Sequence, residues 1–295
     1  MGFDYNGIKL LLNSKKEGVD FTKSVTLGRQ EIHVSPKELL NLLKGSGVKK
    51  DFDNKPMPKM NDYCESFLKC LGSKITDSID ASEYENATII HDLNSPISDD
   101  LKGKYSVVID GGTLEHVFNF PVAIKNCMDL IELNGYYIGM SPTNNFFGHG
   151  FYQFSPELYF RIFSENNGFK IHRMFFYTSE KNSKIFEVSD PAAVKSRVNL
   201  ANSVPSYLFV LAKKISNKDV FKIVPQQSDY INISWEKQYL PSQYSKLKGI
   251  IRSIFPDGTW ANLLIRKLRW VSNNIKSSFS VTGTGKKKFF NKINI

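Results

Sequence analysis

The chain has 295 residues, 41% of them hydrophobic and 13% aromatic, enough to bury a full core and too apolar for a disordered or fibrous protein. Its charge of +10 is lopsided: residues 1–212 carry 23 Lys and Arg against 25 Asp and Glu, and residues 213–295 carry 16 against 4, a net of +12, so the tail offers a surface to an anionic partner such as phospholipid or nucleic acid. No apolar run reaches the ~18 residues that span a bilayer, and Cys64, Cys70 and Cys127 form no CxxC pair, which excludes a disulfide framework and points to a reducing, cytoplasmic compartment.

From the N-terminus, Ile8, Leu10, Leu11 and Leu12 make an apolar stretch that Lys9 interrupts, with no small-residue cleavage site after it, so a cytosolic start is expected. Asn6 stands where a myristoylation motif needs Ser or Thr. Residues 1–22 are read as an N-terminal helical segment. From Val25 to Lys213 short β-rich runs alternate with helical patterns, the signature of an α/β fold with a doubly wound, mostly parallel sheet. Seven strands are predicted: Ser24–Leu27, Lys74–Ile79, Thr88–His91, Ser106–Ile109, Tyr136–Met140, Lys170–Tyr177 and Tyr207–Ala212. Ser35-Pro36 opens a helix that stops near Gly45, Pro121–Leu133 forms a second before Asn134-Gly135, and Ser155-Pro156 opens a third that Gly168 ends. Only about one helical turn fits between Ile79 and Thr88, and residues 178–205 read as a polar excursion. The domain division is 1–22, an α/β domain over 23–214, and a basic, mainly helical extension over 215–295.

In an open parallel sheet, ligands bind beyond the carboxyl ends of the strands. That rule nominates Gly28 and Arg29, then Asp80, then Asp92 with Leu93, then Asp110-Gly111-Gly112 running on to Glu115 and His116, and finally Asn144 and Asn145. Three strands end in aspartate, and carboxylates accept hydrogen bonds from ribose hydroxyls and adenine amines and offset a cationic group.

The stretch from Tyr105 to Asn119, with a hydrophobic strand ending in Asp110 followed by Leu114-Glu115-His116-Val117, resembles the fourth-strand region of class I S-adenosylmethionine-dependent methyltransferases. Asn134-Gly135 is similar to the turn into their fifth strand. The resemblance covers about Val25–Lys213 and implies strand order 3-2-1-4-5-7-6 with the last strand antiparallel. It implies S-adenosylmethionine as cofactor, with Asp80 on the ribose, Asp92 and Leu93 beside the adenine, and Asp110 with Gly111–Glu115 lining the methionine portion and the acceptor. One departure is plain: the family's glycine-rich turn after the first strand is here Gly28-Arg29-Gln30, with one glycine, and Arg29 is expected either to fill part of that space or to bind the cofactor carboxylate instead.

After the fifth strand, Pro142–Ser155 is dense in rings, glycines and amides, the composition of a small-molecule wall with Asn144, Asn145, Tyr152 and Gln153 as substrate contacts. His149, between Gly148 and Gly150, is the candidate general base, with Glu115 and His116 as catalytic partners. Each has a plainer reading: the aspartates cap turns, the histidines are packed or bonded to backbone, and the rings fill the core. No His, Cys or carboxylate set stands at a metal-ligand spacing, so no metal is expected. Gly283–Lys288 lacks the spacing and the Ser or Thr of a phosphate loop and reads as a basic end. Trp260, Leu263, Leu264, Leu268, Val271 and Ile275 recur at helical spacing between Arg266, Lys267 and Arg269, an amphipathic basic helix suited to an anionic membrane surface or to docking on the domain. The leading function is methyl transfer to oxygen or nitrogen of a small polar acceptor, such as a saccharide or surface-glycan precursor. The alternative is a non-catalytic methyltransferase-like binding or scaffold module, and nucleic-acid binding through the tail ranks below both.

Overall fold

In the computed structural model, which describes residues 2–47, 59–231, 260, 263–267 and 288–295, the chain opens with a two-residue strand, β1 (Gly2–Phe3), and helix α1 (Tyr5–Lys16). Asp4 caps that helix by accepting the Gly7 N–H at 2.7 Å, and Lys15 and Lys16 sit in its last turn, where the helix dipole favours cations. Strand β2 (Lys23–Leu27) follows, then β3 (Glu31–Ile32), which pairs with β1 in a small parallel sheet. Helix α2 (Pro36–Ser46) carries the capping box of Ser35 and Glu38, with proline at its first position. It runs past the expected stop at Gly45 and is closed by Gly47, whose φ of 71° is left-handed.

Helix α3 (Glu65–Cys70), β4 (Ile75–Asp80), β5 (Ile89–Ile90) and β6 (Tyr105–Asp110) come next. Between β4 and β5 there are turns only, as the short connection demands. Helix α4 (Phe120–Leu130) ends three residues before the expected Leu133, because β7 (Ile131–Asn144) begins at Ile131 opposite Tyr105 and passes through Asn134, at φ 68°, with a shift in register. Helix α5 (Pro156–Ile162), capped by Ser155, stops earlier than expected too; Gly168 closes the separate 3₁₀ turn Glu165–Asn167. Then come β8 (Phe169–Thr178), β9 (Ile185–Val188), α6 (Pro191–Val194), β10 (Ser206–Lys214), α7 (Ser228–Ile231) and β11 (Phe290–Ile293).

The main sheet has order β11-β9-β8-β10-β7-β6-β2-β4-β5. All seven expected strands are in it, and counted from β2 they stand in order 3-2-1-4-5-7-6 with β10 antiparallel to both neighbours. The count is nine rather than seven: β9 forms inside the expected polar excursion, and β11, from the far end of the chain, pairs with it. Trp260 and residues 263–267 are helical, with Trp260, Leu263 and Leu264 exposed. The rest of the expected basic helix, Leu268, Arg269, Trp270, Val271 and Ile275, and most of Gly283–Lys288, lie outside the described residues. Among the described residues no helix is long and apolar enough to cross a membrane.

Period-two alternation sends β6 side chains to opposite faces. Val107 and Ile109 join the core under α1 to α3, with Leu10, Leu11, Leu39 and Phe67, whereas Val108 joins the core under α4 and α5, with Ile124, Tyr137 and Tyr159. Asp110 has the parity of Val108 and is fully buried on that second face. Register aligns the site edge: Leu27 lies opposite both Ile79 and Asp110, and Asp110 opposite Gly139.

Candidate functional site at the carboxyl edge of the sheet

Strand β6 ends at Asp110, whose Oδ1 accepts the backbone N–H groups of Gly112 at 3.2 Å and Thr113 at 2.8 Å, while Tyr137 donates its hydroxyl to Oδ2 at 3.3 Å. These bonds fold the glycine pair into a tight turn and start the 3₁₀ turn Leu114–His116. Across the turn, Thr113 Oγ1 donates to Leu27 O at 2.7 Å, and the buried Gln30 amide donates to the same carbonyl. The loop after β6 is thereby tied to the end of β2.

The loop after β7 is tied to this turn through one backbone atom. Glu115 O accepts the N–H of Phe151 at 2.7 Å and of Tyr152 at 3.2 Å. Gly150 makes the approach possible: its φ is 66°, and a Cβ there would stand 2.8 Å from Glu115 O. His149 is consequently set over Glu115, with Nε2 3.6 Å from Oε1, and its ring meets that of His116 edge-on at 4.9 Å. The Glu115 side chain is 2% exposed and that of His149 47%, so the cluster runs from a buried acid to an accessible imidazole.

Electrostatics follow from burial. Desolvation pushes the Asp110 carboxyl above the usual range against three backbone N–H bonds. It pushes Glu115 up as well, and the Asp110 charge adds to that shift. The two acids together retain a proton that solvated carboxylates would lose. The His116 imidazole is held down, first by burial and then by His149. Among the described residues neither acid forms an ion pair with lysine or arginine. Two buried acceptors, Gln30 Oε1 and Glu115 Oε2, have no hydrogen-bond partner. The positions a Cβ would take at Gly111 and Gly112 lie 2.5 Å from Gln30 Oε1 and 3.2 Å from Glu115 Oε1, so the turn packs too closely on both side chains for any residue but glycine at Gly111.

The structure thus brings Asp110, Gly111, Gly112, Glu115, His116 and His149 together. Gly28, at φ 65°, turns the chain after β2. Arg29 stacks on Tyr63 at 3.9 Å and bonds Glu65 Oε1 at 2.6 Å and Glu85 O at 2.9 Å, so its guanidinium holds the rim of the edge together. Asp80 takes the Ser82 N–H at 3.0 Å. Asp92 is exposed and held below the usual carboxylate range by Asn94, whose backbone and side chain both donate to it, while Leu93 is buried behind it. The expected substrate residues also brace their own loop. Asn144 and Asn145 donate to Asn202, Gln153 accepts the Phe146 N–H at 2.9 Å, and Tyr152 donates to Phe118 O at 2.7 Å. Asn202, linked to the site by fold alone, and the pairing of the exposed Phe118 and Phe151 rings at 5.7 Å carry no signal in the sequence. Sequence reasoning also expects no metal donors, yet Glu115, His116 and His149 each place a donor atom within 4.8 Å of the others.

No family model and no curated protein matches the sequence. Among solved structures the chain is similar to a methyltransferase from Thermotoga maritima described as a possible histamine N-methyltransferase, at 12% identity over 72% of this chain and 90% of that one, TM-score 0.38. It is similar to a putative methyltransferase from Bacillus halodurans C-125 at 9% identity over 70% and 99%, TM-score 0.39, and to the methyltransferase CalH bound to SAH at 12% identity over 70% and 55%, TM-score 0.38. The sheet itself carries the assignment of fold: β5-β4-β2-β6-β7-β10-β8, with β10 alone reversed among these seven strands, is the strand order of the class I methyltransferase fold.

Proposed function

We propose that the chain is an S-adenosylmethionine-dependent methyltransferase acting on oxygen or nitrogen of a small polar acceptor. The observation that carries the reading is the buried Glu115, laced by its own carbonyl to the Gly150 turn so that His149 stands over it, at the edge where this fold binds ligands. The cradle suits the cofactor. Asp80 would hold the ribose hydroxyls, Asp92 and Leu93 the adenine, and the unpartnered Gln30 Oε1 beside Gly111 would accept from the ammonium of the methionine portion. S-adenosylmethionine supplies, when bound, a methyl group on a sulfonium centre. The chain's part is to exclude water with the buried Phe154 and Tyr159, to align the acceptor, worth up to about 7–11 kcal/mol, and to activate its nucleophilic atom at the Glu115, His116 and His149 cluster. The exposed rings of Phe118 and Phe151, which meet edge-on with centroids 5.7 Å apart, offer apolar surface on the loops that carry the cluster, which suits the C–H face of a saccharide.

A non-catalytic scaffold is the second reading, and one observation favours it: Phe3 and Gln30 press on Gly111 within contact distance of any added Cβ, narrowing the space that a glycine-rich first turn would open. Calorimetric titration of the full chain with S-adenosylmethionine and S-adenosylhomocysteine separates the two. Micromolar binding of both supports the enzyme; no heat up to ~1 mM, the scale of negligible affinity, leaves the scaffold.

A further inference from the structure

We propose that Glu115, His116 and His149 form a binding site for a divalent first-row transition-metal ion. Two imidazoles and one carboxylate are the donor set that such ions take in sites with open positions. The three donor atoms already lie within 4.8 Å of one another, and the Glu115 to His149 separation is 3.6 Å. Around an ion bound at ~2.0–2.2 Å in tetrahedral geometry, donors stand about 3.4 Å apart. Glu115 and His149 need almost no movement, and His116 needs a small rotation at the accessible end of its turn.

A second, independent observation points to a ligand here. Glu115 Oε2 is buried without a hydrogen-bond partner, on a side chain 2% exposed. A buried carboxylate oxygen left unpaired is costly, and the described residues bring no lysine or arginine to it or to the neighbouring Asp110. A divalent cation held by both carboxylate oxygens, Oε1 toward His149 and the otherwise unpaired Oε2, supplies the missing charge and the missing partner at once. The loop geometry suits ion entry: His149 is half exposed between two glycines, and Gly148 has open space around it. Protein ligands fill three positions and leave the remaining ones open to water or a substrate atom.

The catalytic use of the ion rests on the methyl-transfer reading: an acceptor hydroxyl bound in an open position would lose its proton to solvent more readily. Metal binding itself does not rest on that reading.

The test uses the full chain freed of metal by chelator, titrated with Zn²⁺ by calorimetry and with Co²⁺ by visible absorption. One equivalent is expected to bind, with Co²⁺ showing the d–d bands of a low-coordinate site with nitrogen and oxygen ligands. Glu115→Gln, His116→Ala and His149→Ala should each weaken binding by at least about tenfold, and His172→Ala, away from the cluster, should not. His149→Ala removes an exposed side chain and so keeps the test clear of folding defects; circular dichroism checks the other two. No Zn²⁺ or Co²⁺ binding below ~1 mM, or binding that His149→Ala and Glu115→Gln leave unchanged, overturns the proposal. Titration of the chelated chain with S-adenosylmethionine separates the two readings. Cofactor binding without metal binding overturns the metal site alone, and metal binding without cofactor binding supports the metal site and removes the methyltransferase.

Discussion

Of the two glycines that flank His149, only Gly150 should be sensitive to alanine. Gly150 sits at φ 66°, and its Cβ would stand 2.8 Å from Glu115 O and 3.2 Å from Glu115 Cγ. An L-residue in that conformation costs about 1–2 kcal/mol, and a contact with backbone cannot be relieved by a rotamer change, adding about 1–3 kcal/mol of overpacking. If the loop instead lifts away, it forfeits the Phe151 and Tyr152 N–H bonds to Glu115 O, roughly 1 kcal/mol each. The first route comes to about 2–5 kcal/mol and the second to about 2 kcal/mol, so the cheaper one puts Gly150→Ala at about 2 kcal/mol. Gly148 has nothing within 4 Å of its Cβ position and no positive φ, so Gly148→Ala should stay within about 0.5 kcal/mol of the native chain. Urea unfolding measures the global part, and hydrogen exchange at the Phe151 and Tyr152 amides measures the local part. Protection at those two amides should collapse in Gly150→Ala and persist in Gly148→Ala. If Gly150→Ala leaves stability and both amides unchanged, Glu115 and His149 are not held together in the manner described.

Asp80→Ala should weaken S-adenosylmethionine binding by at least about tenfold, the loss of one or two charge-assisted hydrogen bonds to the ribose; unchanged affinity in a folded variant removes Asp80 from the cofactor site. Burial raises the Asp110 carboxyl, so the folded state holds a proton that the unfolded chain releases, and this group lowers stability as pH rises beyond the ordinary carboxylate range. Asp110→Asn keeps an acceptor for Gly112 and Thr113, and urea unfolding should show its gain over the native chain growing between pH 4 and pH 7; a gain that shrinks over that interval contradicts the burial argument. The full chain should sediment with anionic and not neutral liposomes at low salt and be released at high salt, since exposed Trp260 and Leu263 stand beside Arg266 and Lys267 and each cation near such a surface adds roughly 1 kcal/mol. Indifference to anionic liposomes at low salt would show that the tail serves another partner.

The parallel half of the sheet is legible in the sequence because each strand is a short run of β-forming residues that ends at a polar residue or glycine, as in Ser106-Val-Val-Ile109 before Asp110. Helix starts are equally legible, since Ser35 and Ser155 supply cap atoms and the following prolines lose no hydrogen bond. The far edge is not. Ile185–Val188 is four residues in a polar stretch, and the strand that pairs with it lies about a hundred residues on, at Phe290–Ile293; no local pattern announces a partner so distant. The end of α4 is missed for a related reason. Ile131 and Leu133 continue the helical period, but Ile131 opposite Tyr105 is held by the sheet, and tertiary pairing outweighs propensity there.

The site divides along the same line. Strand-end acids and the glycines around His149 mark themselves by residue type, since few residues tolerate a left-handed turn and few acids close a buried strand. What joins them is not written in side chains. Glu115 reaches His149 because two amides from the next loop, Phe151 and Tyr152, converge on the Glu115 carbonyl, and every residue possesses a carbonyl. For the same reason the donor set of Glu115, His116 and His149 escapes any rule of ligand spacing: His116 and His149 belong to different loops, and their distance is set by a backbone hydrogen bond and by the room that Gly150 leaves for it. A search for metal sites in sheets of this kind therefore gains more from asking which loops share a carbonyl across neighbouring strand ends than from counting residues between histidines.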